Sequence, residues 1–438
     1  MSTLKLSLIG LSSRLVATGL TIGTTLILAR YLGPEPTGQY FLFLRVVALL
    51  AIFADLGFSQ STNVFAGRGE SVRQIHGIIG RFSAVASAVL VIAFLAVMAL
   101  FGRRILPNYP RPLQIATIVA VPFFVYSTLW NFLMIGLGQI VVMNAVQVSA
   151  AVLTLALVAI LVVGMSQGVT VAVGVYCAVL VVQVVAMIVL AMRLGRGVES
   201  DGRTGLFYDM WRFGLRGSGG SVAAILWPRI PVFVLNVFHG AGAVGVFSVG
   251  QTLVEKMLLP IQATQEAIYR RMARLDRHLA SSSMNRYIRV SGWSMLLFFG
   301  VTALVLPIAV ITLLGERYRA AVPVILVLVP AALMMAVSLL LATFFLAQLG
   351  RPGLLSILAL INVAMNGILS FALIPRYGAI GAALAVGLTQ VVGTLIVILL
   401  YLRATGARPM DLLRINRGDR DAFLQQLREI LPLRSQEP

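Results

Sequence analysis

Apolar residues along this chain do not alternate with polar ones. They run on, in stretches of about twenty, separated by short polar joints. A helix needs about 20 mostly apolar residues to cross the hydrocarbon core of a bilayer. The runs predict twelve spans, near 7–29, 38–65, 77–101, 113–137, 140–163, 169–192, 214–238, 242–269, 287–314, 321–349, 353–374 and 379–402. The longest soluble pieces are 193–213, 270–286 and the tail from 403. The expected fold class is all-α: a polytopic membrane protein whose transmembrane helices form two six-helix halves around a central polar cavity. The halves are residues 1–192 and 214–402, joined by the cytoplasmic linker 193–213 and followed by a cytoplasmic tail, 403–438, with an amphipathic helix.

Composition removes the alternatives. Of 438 residues 59% are hydrophobic and 11% charged, against about 25% charged in an ordinary soluble domain. Too few charges exist to cover two or three soluble domains, so soluble enzymes, nucleic-acid binders and disordered chains are disfavoured. The net charge is +19, and all but Lys5 and Lys256 of the 34 cations are Arg. With twelve spans, 23 cations fall on the side of the two termini and 7 on the other. Positive loops stay inside, which places both termini in the cytoplasm. The cations therefore read as topology signals, with membrane lipids as partners and no nucleic acid. Cys177 stands alone, and three histidines (His76, His239, His278) make no metal cluster with it. Lys5 and Arg14 precede an apolar stretch that continues to Leu28, a retained first span rather than a cleaved signal.

The chain echoes itself. Ala29–Phe41 and Asn236–Ser248 match at an offset of 207, pairing Gly33 with Gly240, Gly38 with Gly245 and Tyr40 with Phe247. A second echo pairs Gly138-Gln139 with Gly350-Arg351. These suggest two halves in parallel orientation, an architecture that holds its substrate between the repeats.

Four cations remain inside the membrane: Arg14 in span 1, Arg45 in span 2, Arg229 in span 7 and Lys256 in span 8. The acids Asp55, Glu255 and Glu266 lie in spans 2 and 8. An Arg, Lys or Asp at a helix centre costs about 2.5–3.5 kcal/mol on insertion scales, so such groups face a cavity or a partner. Arg14, Thr18, Thr21 and Thr25 share one face of span 1, and Ser248, Gln251, Thr252, Glu255, Gln262 and Glu266 one side of span 8. Spans 5, 6, 11 and 12 read as featureless apolar helices facing lipid. Arg14, Arg45, Arg229 and Lys256 form the candidate cationic binding site. Thr18, Thr21, Gln251 and Gln262 are candidate polar partners, and Asp55, Glu255 and Glu266 candidate ion-coupling groups. A blander reading stays open: Arg14 and Arg45 snorkel to headgroups, and Lys256–Glu255 and Arg45–Asp55 are structural ion pairs. Trp227-Pro228-Arg229-Ile230-Pro231 puts two prolines around an Arg, which predicts a kink.

Leu28-Ala29-Arg30-Tyr31-Leu32-Gly33-Pro34-Glu35, then Gly38-Gln39-Tyr40, then Ala54-Asp55-Leu56-Gly57-Phe58-Ser59-Gln60 resemble the N-terminal signature of Wzx-type polysaccharide flippases. These belong to the multidrug/oligosaccharidyl-lipid/polysaccharide (MOP) exporter superfamily. The resemblance implies a flippase that moves undecaprenyl-pyrophosphate-linked oligosaccharide across the cytoplasmic membrane by alternating access, with no catalytic residue, no cofactor and no resident metal. It also implies coupling to a Na⁺ or H⁺ gradient, and a polysaccharide polymerase or export machinery as partner. The related lipid II flippases use cavity arginines on the first, second and eighth helices, where this chain has Arg14, Arg45 and Lys256. Lys256 in place of Arg, and twelve spans rather than fourteen, set it apart from that branch. The physical chemistry agrees: Arg offers forked donors to phosphate oxygens and Lys a mobile charge. The alternatives are a Na⁺- or H⁺-coupled drug or metabolite antiporter of the same superfamily, a polytopic glycosyltransferase or polymerase, and a membrane scaffold. Four buried cations against three acids favour an anionic substrate. The longest outer loop, Gly102–Pro112, has no acid for catalysis.

The orientation is testable. Cytoplasmic reporters fused after Arg203 and after Arg274 should both be active; reports from opposite sides of the membrane would overturn the span assignment.

Overall fold

The computed structural model describes residues 3–107, 109–195, 203–272 and 275–413. No strand occurs among them. The helices are α1 (Thr3–Leu32), α2 (Pro34–Asp55), α3 (Phe58–Gly67), α4 (Val72–Ile105), α5 (Arg111–Gly136), α6 (Ile140–Val158), α7 (Val169–Leu194), α8 (Leu206–Leu226), α9 (Ile230–Lys256), α10 (Leu259–Met272), α11 (Arg277–Leu314), α12 (Ala321–Ala347), α13 (Pro352–Thr405) and α14 (Pro409–Leu413). Among the described residues, ten helical stretches are long and apolar enough to span a bilayer. Two of these, Gly219–Lys256 and Pro352–Thr405, turn at a non-helical glycine, Gly240 and Gly378. The expected pairs 214–238/242–269 and 353–374/379–402 lie on either side of those turns.

Glycine makes the turns possible. Gly33 (φ 82°, ψ −179°) and Gly240 (φ 76°, ψ −177°) share one backbone conformation, in a region open essentially to glycine alone. They are the two positions matched at the offset of 207. Five residues on, Gly38 and Gly245 complete the echo in space. A Cβ on Gly38 would collide with the Ala241 carbonyl, and a Cβ on Gly245 with the Pro34 carbonyl. Pro34 and Ala241 are themselves related by the same offset, so the contact is reciprocal. Backbone meets backbone here because neither glycine has a side chain, which is how membrane helices approach closely. Gly138 and Gly350, the second echo, also take positive φ.

Two breaks depart from the expected spans. Span 2 was expected to run unbroken through 38–65, but the helix stops at Asp55 and restarts at Phe58. Leu56 and Gly57 between them take left-handed conformations. Span 8 breaks likewise between Lys256 and Leu259. The proline pair acts as expected: the helix passes through a 3₁₀ turn at Trp227–Arg229.

Helices α1–α7 pack mainly through α1/α6, α3/α5, α2/α5 and α5/α7, and α8–α13 through α12/α13, α9/α13, α11/α12 and α8/α13. The two sets meet along α2/α9 and α3/α8. The linker's end is docked on the first set. Gln74 Nε2 donates to the Arg203 carbonyl (2.7 Å), and the Arg203 guanidinium forks to Glu70 (2.6 Å) and Asp209 (2.7 Å). The amphipathic helix expected over 409–433 falls mostly outside the described residues; only α14, with Leu412 buried, lies within them.

The reciprocal glycine contact has a measurable consequence. Gly38→Val and Gly245→Val should each destabilise by about 1–3 kcal/mol through overpacking, read as a lowered unfolding midpoint in detergent. Gly174→Val, where a Cβ meets nothing, should cost clearly less. Equal midpoints for all three would refute the close crossing.

Candidate functional site

A cavity of about 400 Å³ opens beside that crossing. From α1 it receives Thr21, Thr24 and Thr25, and from α2 Tyr40, Leu44, Arg45 and Ala48. Phe124 of α5, Ala151 and Thr154 of α6 and Tyr176 of α7 form the far wall, and Thr252, Glu255 and Lys256 enter from α9. The threonine hydroxyls are polarised in one sense. Thr21 Oγ1 donates to the Ala17 carbonyl (2.8 Å), Thr24 Oγ1 to Leu20 (3.0 Å) and Thr154 Oγ1 to Ala150 (2.8 Å). With their protons engaged by their own helices, these oxygens are left as acceptors. The wall therefore offers acceptors to hydroxyl donors and two cations, Arg45 and Lys256, to an anion.

A second cavity of about 230 Å³ lies on the other side of α9. It is lined by Trp227 and Pro228 of the 3₁₀ turn, Gln251 and Glu255 of α9, Gln262 of α10, and residues of α12 and α13 including Met335 and Gln390. Glu255 borders both cavities. Gln251 links them: its Oε1 lies 3.5 Å from an Arg45 Nη, and its Nε2 donates to the Pro228 carbonyl (3.3 Å).

The candidate residues thus separate by place. Arg45, Lys256, Glu255 and Thr21 come together in the larger cavity, and Gln251, Gln262 and Glu255 in the smaller. Arg229 stands on the turn between them, its guanidinium folded back to donate to the Ile225 carbonyl. Its Nε is buried without a hydrogen-bond partner among the described residues, and it is repelled by Arg45 and attracted by Glu255. Arg14 is exposed and Thr18 half-buried on α1, outside both linings. The side chain of Glu266 lies outside the described residues. The ion pairs Lys256–Glu255 and Arg45–Asp55 are absent among the described residues. Asp55 caps α3 instead. Its Oδ1 accepts from the Ser59 N–H (2.8 Å) and its Oδ2 from the Ser59 hydroxyl (2.8 Å), satisfying a donor that the new helix start leaves open.

Two features escaped the sequence reading. Spans 5 and 6, read as featureless, supply Thr154 and Tyr176 to the larger cavity. Spans 11 and 12 hold a buried polar chain on α13. Asn366 donates to Thr389 (3.3 Å), Ser370 to Asn366 (3.4 Å), Gln390 to Thr394 (3.0 Å) and Thr394 to the Met334 carbonyl (3.1 Å). Its signal was present in Asn362, Asn366 and Ser370 at steps of four. Uncharged residues simply stand out less than arginines. Asn236 of α9 is buried with its amide oxygen and nitrogen both unpartnered among the described residues.

Capping and ion coupling make opposite demands on Asp55. If capping is its role, Asp55→Asn should retain folding and activity, because Asn caps as well as Asp, while Asp55→Ala costs about 1 kcal/mol. Inactivity of Asp55→Asn with an unchanged unfolding midpoint would show that its charge is used.

A search of curated proteins by sequence finds no match. Among solved structures, the chain resembles a multidrug-resistance MATE family transporter of the MOP superfamily in its inward-facing conformation. The TM-score is 0.70 at 16% identity, covering 91% of this chain and 98% of that one. The outward-facing conformation of such a transporter gives 0.64 at 15% identity, covering 92% and 95%. A MOP superfamily transporter from Pyrococcus furiosus, whose binding pocket is described as of reverse polarity, also gives 0.64 at 15% identity, covering 92% and 95%. Residues 4–263 match the family profile described as polysaccharide biosynthesis protein. That match spans more than half of the chain, and this multi-pass membrane protein with the fold of the MOP transporters belongs to the polysaccharide biosynthesis protein family.

Proposed function

We propose that the protein is a flippase that carries undecaprenyl-pyrophosphate-linked oligosaccharide from the cytoplasmic to the periplasmic leaflet. The observation that supports this most is the charge of the space between the two helix sets. Arg45 and Lys256 face the larger cavity, with Glu255 the one carboxylate in its described lining, and Arg229 on the 3₁₀ turn interacts electrostatically with Arg45 and Glu255. A pyrophosphate is a concentrated anion that hydrocarbon excludes. At about 4 Å and an effective dielectric near 20, each phosphate–cation contact is worth about 4 kcal/mol before desolvation. Arg45 supplies a planar fork and Lys256 a point charge on a flexible stem. The acceptor-lined threonine wall suits sugar hydroxyls.

In this reading the sets α1–α7 and α8–α13 are two halves that rock against each other, parting at the Gly38–Gly245 crossing as the other end closes. The crossing closes the periplasmic end, in keeping with the higher TM-score to the inward-facing relative. Both termini are cytoplasmic, and a polymerase or export complex receives the product. Bound anion offsets the repulsion between Arg45, Arg229 and Lys256, so substrate binds best where the halves bring these cations together. That differential affinity drives the shift in population. Arg14, exposed below the cavity on α1, receives the headgroup from the cytoplasm. Glu255, bordering both cavities, is the candidate for a coupling proton or Na⁺. It also supports a second reading, an ion-coupled antiporter of drugs or metabolites, for which the cation excess is a poor fit to cationic cargo.

Export of surface polysaccharide in a flippase-null strain separates the readings. At matched membrane expression, Arg45→Ala and Lys256→Ala should each reduce export at least about tenfold, the loss of roughly 1.4 kcal/mol or more. Lys256→Arg should retain much of it, and Arg376→Ala, outside both cavities, should be near wild type. Full export from both alanine variants would overturn the cationic-cavity mechanism.

A further inference from the structure

A third hollow is larger than either of the two cavities. It is a groove of about 640 Å³ on the outer flank, where α2 and α4 meet α8. Its walls are apolar: Phe53 and Leu56 from the end of α2, Val85 and Val89 along α4, and Phe207 and Trp211 from α8. Val85 and Val89 are 66% and 60% exposed, so the groove faces the surroundings rather than the core. One charged side chain borders it, Arg81, which makes no hydrogen bond or ion pair among the described residues.

Depth says what Arg81 faces. Between Arg81 and Arg103 helix α4 has no charged residue. Those 22 positions correspond to about 33 Å of helix, close to the roughly 30 Å hydrocarbon thickness. Arg81 therefore lies at the level of lipid phosphates, and Val85 and Val89 descend from it into the acyl region. Aromatic rings brace the same end. Phe82 stacks on Phe58 with centroids 4.1 Å apart, and Trp211 lies 5.9 Å from Phe82, as expected of interfacial aromatics.

The protein itself contains a comparable groove that is partly covered. Helix α11 follows α10 as α4 follows α3, and it too borders an apolar groove, of about 340 Å³, with Trp293, Met334 and Ile398 in its walls. Here the cation is answered: Arg289 Nη1 donates to the Asp411 carbonyl at 2.5 Å. The adjacent Leu412 is buried in the groove at 8% exposure. An oxygen acceptor on the arginine and an aliphatic chain beside it, both from α14, cover part of that groove. The groove beside Arg81 has the same cation and the same apolar floor with no segment of the described chain on it.

We propose that this groove is a binding site for an anionic phospholipid of the cytoplasmic leaflet, its phosphate on Arg81 and an acyl chain laid along Val85 and Val89 against Phe53. The lipid takes the part that Asp411 and Leu412 play on α11. Because α2 and α4 form one wall and α8 the other, the lipid bridges the two helix sets. A conformation that separates them loses the site, so anionic lipid favours the arrangement described here.

Native mass spectrometry of the purified full-length protein, titrated with dioleoylphosphatidylglycerol or dioleoylphosphatidylcholine, tests this. Wild type should retain phosphatidylglycerol about fivefold better than phosphatidylcholine, the contribution of one arginine at a membrane surface. Arg81→Gln should bring the ratio near one, and Val85→Trp, on an exposed position that tolerates bulk, should lower retention of both lipids. Arg104→Gln, on the exposed far end of the same helix, should leave the ratio unchanged. No preference in wild type, or an undiminished preference in Arg81→Gln together with undiminished retention in Val85→Trp, would overturn the proposal. So would selective retention of undecaprenyl phosphate over phosphatidylglycerol in a mixed titration.

Discussion

The arrangement of the two helix sets depends on one backbone contact. Gly38 lies against the Ala241 carbonyl and Gly245 against the Pro34 carbonyl, so that α2 and the second limb of α9 cross with no side chain between them. In a bilayer no hydrophobic force pulls two apolar helices together, because lipid tails are as apolar as leucine. Close packing of small residues supplies the attraction instead. The left-handed turns at Gly33 and Gly240 aim both helices at that crossing. Everything polar in the larger cavity hangs from it: Arg45 lies two turns along α2 from Gly38, and Glu255 and Lys256 about three turns along α9 from Gly245.

A close crossing at one level leaves space at the next, where side chains grow larger and helices diverge. That space is where unpaired charges can stay solvated. Arg45 and Lys256 make no ion pair among the described residues, and Glu255 stands between two cavities rather than against either cation. Fully paired, these groups would lock the helices and have little affinity left for a ligand. Left open, they are available to an anion, and in the proposed reading its affinity depends on how near the two helix sets bring Arg45, Arg229 and Lys256. Affinity and conformation are thereby one variable.

Much of this was legible in the sequence because membranes impose strong rules. Apolar runs gave the helices, with the joint at 136–139 falling at Gly138, while α8 starts at Leu206, inside the expected linker 193–213. The glycine echo at an offset of 207 proved to be two identical backbone turns and a reciprocal contact. What stayed hidden depends on short-range geometry. Asp55 reads as a buried acid, and only the break at Leu56-Gly57 turns it into a cap for Ser59. Arg229 reads as a ligand, yet its guanidinium is turned back on Ile225. Thr154, Tyr176 and the Asn366–Thr389 pair are uncharged and single in otherwise apolar helices. Hydropathy averages them away, although Thr154 and Tyr176 line the larger cavity and Asn366 and Thr389 pair in the core.

The central claim is that the two helix sets open alternately at their two ends around an anionic cargo. Spin labels can report both ends in one experiment. Tyr31 and Tyr377, both exposed, lie on opposite sets near the glycine turns, and Gln60 and Tyr269, also exposed, lie on opposite sets towards the other end. The account predicts that lipid-linked oligosaccharide pyrophosphate, added to labelled protein in nanodiscs, shifts the two distance distributions in opposite senses. The Tyr31–Tyr377 pair should gain a longer population as the Gln60–Tyr269 pair gains a shorter one. Distances that stay fixed at both ends, or that lengthen together, would contradict it.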